Sequence, residues 1–382
     1  MRRILATLVV ACTLASRGGA QERSELATPP NGDNQRAEVS QWIGLVKVTI
    51  AYHSPRVHFQ GRERTGHIWG ELIPYGLYDE GFGPSRAAPW RAGANESTTL
   101  TVSHDVTVGD HVLKAGTYAL FLELARTGPW TWIVSSAPGW GAFQYDSSDV
   151  VLRVPAPPQD APFTEFLTYG FDDRLPNAAT AYLQWETKRV PLRIDVPNVN
   201  ELYAAQMGRD LRGWPGFDYR SWQAAAQFAA DHRVHLDEAL VWANRAIAEP
   251  FRNAAAGRAD FSTLQTKAAV LTAMGRIADA DTLMDRAIRL PDTDVRAVHQ
   301  YGMRTLAAGR TDRAMAVFLA NRQLHPDERF WTYAGLARGY AALGDRKRAI
   351  ASWETALRNV PPDQRANQPN LERALDALKR GS

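Results

Sequence analysis

Apolar and polar side chains alternate along several short segments between residues 42 and 197. The apolar positions of four such segments are Val46, Val48 and Ile50; Leu100 and Val102; Tyr118, Leu120, Leu122 and Leu124; and Val190, Leu192, Ile194 and Val196. A period of two predicts half-buried β-strands. With about nine or ten short strands and no helical period between them, the pattern favours an all-β antiparallel sandwich or jelly-roll-like domain over an α/β fold.

Residues that favour turns separate these segments. Gly109-Asp110 lies between two short apolar runs, and glycine at the first of two central positions is typical of a type II′ hairpin. The sequence predicts further turns at Gly128-Pro129, at Pro138-Gly139 and at residues 175–177.

After Pro197 the pattern changes to alanine, arginine and leucine at helical spacing, and it repeats. Gly275, Gly309 and Gly344 are separated by 34 and 35 residues, and each precedes an alanine by five residues: Ala280, Ala314 and Ala349. Units of about 34 residues are typical of tetratricopeptide repeats, which are helix-turn-helix pairs. A more degenerate unit at residues 222–250 gives four units, with the excess length placed in a loop at 253–259.

The last apolar positions, Leu371, Ala374, Leu375 and Leu378, predict a helix that caps the repeat array.

The predicted organisation is a signal peptide at 1–20, a flexible leader at 21–40, a β domain at 41–197, a linker at 198–218, and an all-α TPR-like array with its capping helix at 219–382. The leader is predicted to be flexible because it carries almost no apolar side chains, so that folding starts near Trp42.

The first 20 residues have a charged start, a short apolar core and a small-residue exit, which predicts a secretory signal peptide cleaved near Ala20. The expected location is therefore periplasmic or secreted, without a transmembrane helix. A lipoprotein anchored through Cys12 is the alternative. The net charge of +3 disappears with Arg2, Arg3 and Arg17, and no concentrated basic stripe indicates nucleic-acid binding.

A polar turn at residues 90–97 runs into a threonine-rich strand and supplies the candidate site. Its candidates are Arg91, Asn95 and Glu96, joined by residues that follow later in the β domain: Trp140, Tyr145, Asp149 and Arg153. An arginine beside aromatic faces suits a sugar, a peptide end or a small anion. The competing interpretation is structural: Arg91 pairs with Glu96 or Asp149, and Asn95 satisfies its own turn.

The region of about residues 46–196 resembles the DUF2911 family, a domain of unknown function in exported bacterial proteins. The matching motifs include Ser54-Pro55-Arg56, Trp69-Gly70-Glu71-Leu72-Ile73-Pro74-Tyr75-Gly76, Trp90-Arg91, Gly93-Ala94-Asn95-Glu96, Ala115-Gly116-Thr117-Tyr118, Trp140-Gly141 and Arg153-Val154. Residues 77–89 depart from the family pattern, which runs almost directly from Pro-Tyr-Gly into Trp-Arg. The resemblance implies an exported β-rich domain, often followed by helical repeats, and implies no reaction.

Catalysis has little support in the sequence. Glu96, Asp105 and Asp149 can supply an acid and a base only if they lie together in space, as a hydrolase or carbohydrate-processing enzyme requires. His53, His58 and His67 match no metal-ligand spacing, so no metal and no cofactor are predicted. The expected function is an exported binding or scaffolding protein, whose repeats contact a protein or peptide and whose β domain can hold a small polar ligand.

Arginine-rich stretches of the repeats offer a second candidate surface, a groove for an acidic peptide. These arginines and one lysine are Arg304, Arg310, Arg313, Arg338, Arg346, Lys347 and Arg348. The alternative is that they form solvated outer faces of the helices.

Overall fold

The computed structural model describes residues 31–81, 83–248 and 257–380, and the chain separates into two compact units, residues 1–197 and 198–382. The described part of the first unit contains ten strands: β1 (Gln35–Ile43), β2 (Val46–Ser54), β3 (Thr99–Val102), β4 (Val106–Val108), β5 (His111–Leu113), β6 (Gly116–Glu123), β7 (Trp130–Ser135), β8 (Val150–Ala156), β9 (Gln159–Leu175) and β10 (Ala178–Asp195). They form a six-stranded sheet in the order β1-β2-β3-β6-β7-β8 and a four-stranded sheet in the order β5-β4-β10-β9.

All neighbouring strands are antiparallel, as the alternation predicted. The two sheets pack face to face. The indole N–H of Trp132 on β7 donates to the carbonyl of Pro191 on β10 at 2.8 Å, and the rings of Tyr52 on β2 and Tyr169 on β9 lie 4.8 Å apart. The predicted all-β antiparallel architecture is therefore confirmed.

Strand β2 follows the predicted period of two, with Val46, Val48 and Ile50 fully buried. Strand β6 does not, because Ala119 and Phe121 on its opposite face are buried as well. Tyr145, from the segment between β7 and β8, and Val150, the first residue of β8, pack against this face. The six-stranded sheet is thus covered on both faces at its centre.

Two expectations about strand boundaries need correction. Strand β1 begins at Gln35, inside the predicted flexible leader, because its backbone pairs with β2 along its whole length, from Gln35 opposite Ser54 to Ile43 opposite Val46. Main-chain pairing orders a segment whose side chains are mostly polar. Strands β9 and β10 are also long, not short, at 17 and 18 residues. They form one hairpin across the predicted turn at 175–177, with register shifts that mark bulges.

The predicted hairpin between β4 and β5 is present, and Gly109 adopts a φ of 60° at its tip. A positive φ at this position is the reason that glycine is favoured there.

The second unit is helical in its described part: α1 (Val199–Asp210), α2 (Tyr219–His232), α3 (Leu236–Ile247), α4 (Phe261–Ala273), α5 (Ile277–Ala287), α6 (Val295–Ala307), α7 (Thr311–Leu324), α8 (Trp331–Ala342), α9 (Arg346–Leu357) and α10 (Gln368–Arg380). Helices α2 to α9 form four antiparallel pairs, as expected of tetratricopeptide-like units. Gly275, Gly309 and Gly344 terminate the first helix of the last three pairs with φ near 80°. In the degenerate first pair Arg233 and His235 adopt positive φ instead.

Helix α10 buries Leu371 and Leu375 against Trp353 and covers the end of the array. The predicted linker at 198–218 is largely helical: it holds α1 and a 3₁₀ turn at Trp214–Phe217. Val199 and Ala204 are buried and order α1, although its sequence has little helical periodicity. The loop expected at 253–259 lies mostly outside the described residues. None of the helices in the described ranges combines the length and apolar character needed to cross a bilayer.

Candidate functional site

The turn at residues 90–97 is fastened by hydrogen bonds to its own backbone. Trp90 Nε1 donates to the carbonyl of Gly93 at 3.1 Å. The carbonyl of Ala92 accepts from Thr98 Oγ1 at 3.1 Å and from Tyr169 Oη at 2.8 Å. These donors hold Ala92 at a φ of 50°, a conformation that is unfavourable for a residue with a Cβ. The turn is therefore a rigid platform.

Arg91 lies in this platform with its side chain mostly buried. Its Nη2 pairs with Glu80 Oε1 at 3.0 Å, its Nη1 donates to the carbonyl of Asn95 at 2.6 Å, and its guanidinium lies 4.4 Å from the ring centroid of Phe143. The structural alternative considered for Arg91 named Glu96 or Asp149 as its partner, whereas the partner is Glu80. Glu80 belongs to the segment at 77–89 that departs from the family pattern, and the pairing of Tyr78 with Ala88 closes this segment into a loop.

Asn95 and Glu96 point to different surroundings. Asn95 Oδ1 accepts from Asn34 Nδ2 at 3.2 Å. Glu96 Oε2 lies 3.1 Å from His53 Nδ1 beside an open groove of about 440 Å³ that Arg36 and Ser97 also line. Burial lowers the pKa of His53 and Arg36 lowers it further, while Glu96 opposes both effects. His53 is therefore a weak proton acceptor in this groove.

Tyr145 and Arg153 form a third group on the covered face of the six-stranded sheet. Arg153 Nη1 pairs with Glu123 Oε2 at 2.9 Å, and its Nη2 lies 3.4 Å from Tyr145 Oη. The Tyr145 ring stands edge-on to Phe121, and burial raises the pKa of its phenol. This group fastens the segment between β7 and β8 to the sheet.

Trp140 and Asp149 take no part in these contacts. Trp140 is 53% exposed, and the backbone carbonyl of Asp149 accepts from the amide of Ser136 at 2.9 Å. No hydrogen bond or ion pair joins Glu96 or Asp105 to Asp149 within the described ranges, and Asp105 is paired with Lys114 at 2.9 Å. The structure therefore distributes the seven candidates over separate places, and two of them, Arg91 and Asn95, line one common cavity.

The histidines considered for a metal are engaged with carboxylates. His58 contacts Glu63 and Glu165, and His67 contacts Glu71. The Glu165 hydrogen bond is the main reason that the pKa of His58 is raised. In the described part of the chain no group of three or more histidine, cysteine, aspartate or glutamate side chains is arranged so that it could hold a metal ion.

The helical unit contains a cleft that sequence reasoning missed. Helices α1, α2 and α3 and the 3₁₀ turn at Trp214–Phe217 enclose about 610 Å³, and we name this the arginine cleft after three of its lining residues: Arg209, Arg212 and Arg245. Trp222 and Trp242 also line it, and the Arg245 guanidinium lies 5.0 Å from the Trp222 ring. Because residues 198–218 are predicted to be a linker, no sequence signal places Arg209 and Arg212 beside Arg245 of α3.

None of the three arginines pairs with a carboxylate among the residues described; Arg209 contacts the side-chain amide of Gln206 instead. The acidic residue that lines the cleft, Glu238, is held by His235 at 2.5 Å. Among the described residues, the cleft therefore presents three arginines that have no carboxylate partner.

The arginines that the sequence singled out in the repeats are mostly occupied within the array. Arg310 and Arg313 pair with Asp281, Arg348 pairs with Asp345, and Arg338 lies 4.7 Å from the Trp353 ring. Arg346 donates to backbone carbonyls of α10. Apart from the Arg348–Asp345 pair, which lies at the start of α9, these contacts join one helix to another.

Comparison with known proteins assigns the first unit. Residues 34–194 match the profile described as "Protein of unknown function (DUF2911)". No curated protein matches the chain.

Solved structures similar to part of the chain are helical repeat proteins. MamA MSR-1 C2 is 17% identical, with 43% of this chain and 86% of that chain covered and a TM-score of 0.27. A kinesin light chain-like protein of Podosopora anserina with nearly identical TPR-like repeats is 16% identical, with 42% and 94% covered and a TM-score of 0.27. Likeness at these TM-scores carries no argument about function. Residues 34–194 thus match the DUF2911 family, and the helical pairs that follow have the length and turn glycines of tetratricopeptide-like repeats.

Proposed function

We propose that this protein is a binding or scaffolding protein whose repeats hold an acidic segment of a partner protein in the arginine cleft. The observation that carries the proposal is a set of three arginines around an aromatic-lined cavity of about 610 Å³, none of which has a carboxylate partner within the described part of the chain. Guanidinium groups bind carboxylates through paired, directional hydrogen bonds, so this arrangement favours aspartate and glutamate side chains or a chain terminus.

The lining of the cleft supports a peptide with apolar residues among its acidic ones. Trp242 and Leu211 are buried, whereas Val241 is 53% exposed and Phe217 is 57% exposed at the rim. Pockets of this size with apolar walls and a few placed polar groups are typical of ligand sites. Exposed aromatic side chains beside arginine are also typical of the residues that contribute most to protein interfaces.

A peptide-binding measurement tests the proposal on the full chain. Fluorescence anisotropy would compare three labelled peptides of alternating sequence: Glu-Leu, Gln-Leu and Lys-Leu. We expect the acidic peptide to bind and the basic peptide not to bind. Replacing Arg212→Gln together with Arg245→Gln should weaken acidic-peptide binding by about tenfold or more, because each charge-assisted hydrogen bond contributes about 1.5–3 kcal/mol.

The matched control is the pair Arg289→Gln and Arg365→Gln. Both arginines are exposed, neither lines the cleft, and the net charge changes by the same amount. Affinity should be unchanged in this control. Equal binding of acidic and basic peptides, or an equal loss in both double variants, would show that the cleft is not the site.

We also propose that the protein is exported. The support is the charged, apolar and small-residue pattern of residues 1–20, which lie outside the described residues. Cell fractionation and N-terminal sequencing of the mature protein test it: export predicts a periplasmic or secreted chain beginning near Gln21. A chain retaining Met1 in the cytoplasm would contradict export, and a lipid-modified Cys12 would identify the lipoprotein alternative.

A further inference from the structure

A second cavity lies in the DUF2911 domain beside the turn at residues 90–97. It holds about 350 Å³, and we name it the indole cavity. Its charged and aromatic lining residues are Phe59, Arg64, Tyr78, Glu80, Trp90, Arg91 and Trp185. Leu72 and Ile73 add aliphatic surface, and the side chains of Asn34 and Asn95 add polar groups.

Among the described residues, one buried hydrogen-bond donor of this cavity has no acceptor, and one of its cations has no counter-ion. Trp185 is 1% exposed, and its buried indole Nε1 has no hydrogen-bond partner. Arg64 is half-buried and forms no ion pair among the described residues. Its guanidinium lies 5.1 Å from the Phe59 ring and touches only the carbonyl of Arg56, at 3.4 Å. A buried donor without an acceptor and a partly buried cation without a counter-ion both cost free energy.

The other charges of the cavity do not neutralise Arg64. Glu80 is paired with Arg91, which also donates to the carbonyl of Asn95. Tyr78 Oη lies 3.3 Å from the same Glu80 oxygen. Among the described residues, the cavity lining therefore carries one positive charge without a counter-ion, that of Arg64, and an anionic hydrogen-bond acceptor would match it.

We propose that the indole cavity binds a small carboxylic acid with an aromatic body. The carboxylate accepts from Arg64 and from the Trp185 indole N–H, and the ring lies among Phe59, Leu72 and Trp90. The volume suits a single substituted ring, since ligand pockets begin at about 300 Å³. This site is separate from the arginine cleft, so the proposal does not depend on whether the repeats bind a peptide.

Isothermal titration calorimetry on the full chain tests the proposal with three acids: benzoate, phenylacetate and cinnamate. The corresponding amides serve as neutral controls, and inorganic phosphate serves as an anion without an aromatic ring. At least one acid should bind, and its amide should bind about tenfold more weakly or not at all. The proposal is overturned if no acid binds, if the amides bind equally well, or if phosphate binds as tightly as the acids.

Variants separate a ligand site from a structural role. Arg64→Gln should abolish acid binding while leaving the melting temperature unchanged or raised, because it removes an unpaired cation. Trp185→Phe, which removes the N–H and keeps an aromatic ring, should also weaken binding by about tenfold. Arg62→Gln is the control, since Arg62 is exposed and does not line the cavity. A lowered melting temperature in Arg64→Gln with unchanged acid affinity would assign Arg64 to structure and refute the site.

Discussion

Arg91 and Glu80 form an ion pair with 3.0 Å between Nη2 and Oε1, and this pair connects the loop at 77–89 to the platform at 90–97. Both side chains are largely buried, at 12% and 22% exposed. The pair also sits at the edge of the indole cavity, so it fixes the polar wall of the proposed site.

Breaking this pair should destabilise the domain. Arg91→Gln or Glu80→Gln leaves one mostly buried charge without its partner, which we expect to cost about 2 kcal/mol, between the values typical of exposed and fully buried pairs. Urea unfolding followed by tryptophan fluorescence measures the change. The matched control is Arg86→Gln, which breaks the exposed pair with Asp79 and should change stability by less than about 0.5 kcal/mol. Similar losses in both variants would contradict the assigned role of Arg91.

The Phe318 ring of α7 requires glycine on the facing helices. A Cβ at Gly335 would lie 2.6 Å from Phe318 Cδ1, and a Cβ at Gly302 would overlap the same ring. Gly335→Ala should therefore destabilise the repeats by about 2 kcal/mol, measured by the loss of the helical circular dichroism signal on heating. Combining Gly335→Ala with Phe318→Leu should cost less than the sum of the single changes. Strict additivity would show that the ring and the methyl group do not collide.

His299 makes the repeats sensitive to acid. Burial first, and then Arg338, lowers the pKa of His299 from 6.5 to about 4 in the folded state. Between these values the unfolded chain binds the proton more tightly, so stability should be complete above about pH 6.5 and fall towards pH 4, by about 3 kcal/mol.

Chemical denaturation at several pH values checks this dependence. His299→Gln should flatten the loss of stability between pH 6.5 and 4, whereas His232→Gln, at an exposed histidine, should leave it intact. An unchanged slope in His299→Gln would show that other groups cause the acid sensitivity.

Arg233 occupies the turn position that glycine fills in the later repeats. Its φ is 55°, a left-handed conformation that favours glycine. Arg233→Gly should stabilise the chain by up to about 1 kcal/mol, and Gly309→Ala, at a φ of 76°, should destabilise it by a similar amount. Thermal unfolding of the two variants gives the comparison, and a stabilised Gly309→Ala would contradict it.

The sequence predicted the parts of the fold that depend on local patterns. Val46, Val48 and Ile50 occupy alternate positions because one face of β2 is buried. Gly109 indicates the hairpin between β4 and β5 because its turn position requires a positive φ. Gly275, Gly309 and Gly344 likewise mark the ends of helices, because each adopts a positive φ there. The start of β1 at Gln35 was missed because main-chain pairing orders it, and α1 was missed because its buried surface consists of few small residues.

The candidate site was less predictable because its contacts join distant segments. The sequence indicates that Arg91 needs a partner. That partner, Glu80, lies in a loop with no regular pattern, and it reaches Arg91 because the pairing of Tyr78 with Ala88 closes the loop. Arg64 and Trp185 are 121 residues apart in the sequence, and only the packing of β10 against the first part of the domain brings them to one cavity. The arginine cleft likewise depends on α1, which had been assigned to a linker.

Hydrogen–deuterium exchange of the full chain, with and without a saturating Glu-Leu peptide, tests most directly whether the repeats bind acidic segments in the arginine cleft. We predict slower exchange in α1, the 3₁₀ turn at Trp214–Phe217 and α3, with no change in α8 and α9 and no effect of the Gln-Leu peptide. Protection confined to other helices, or no protection at saturation, would contradict the account.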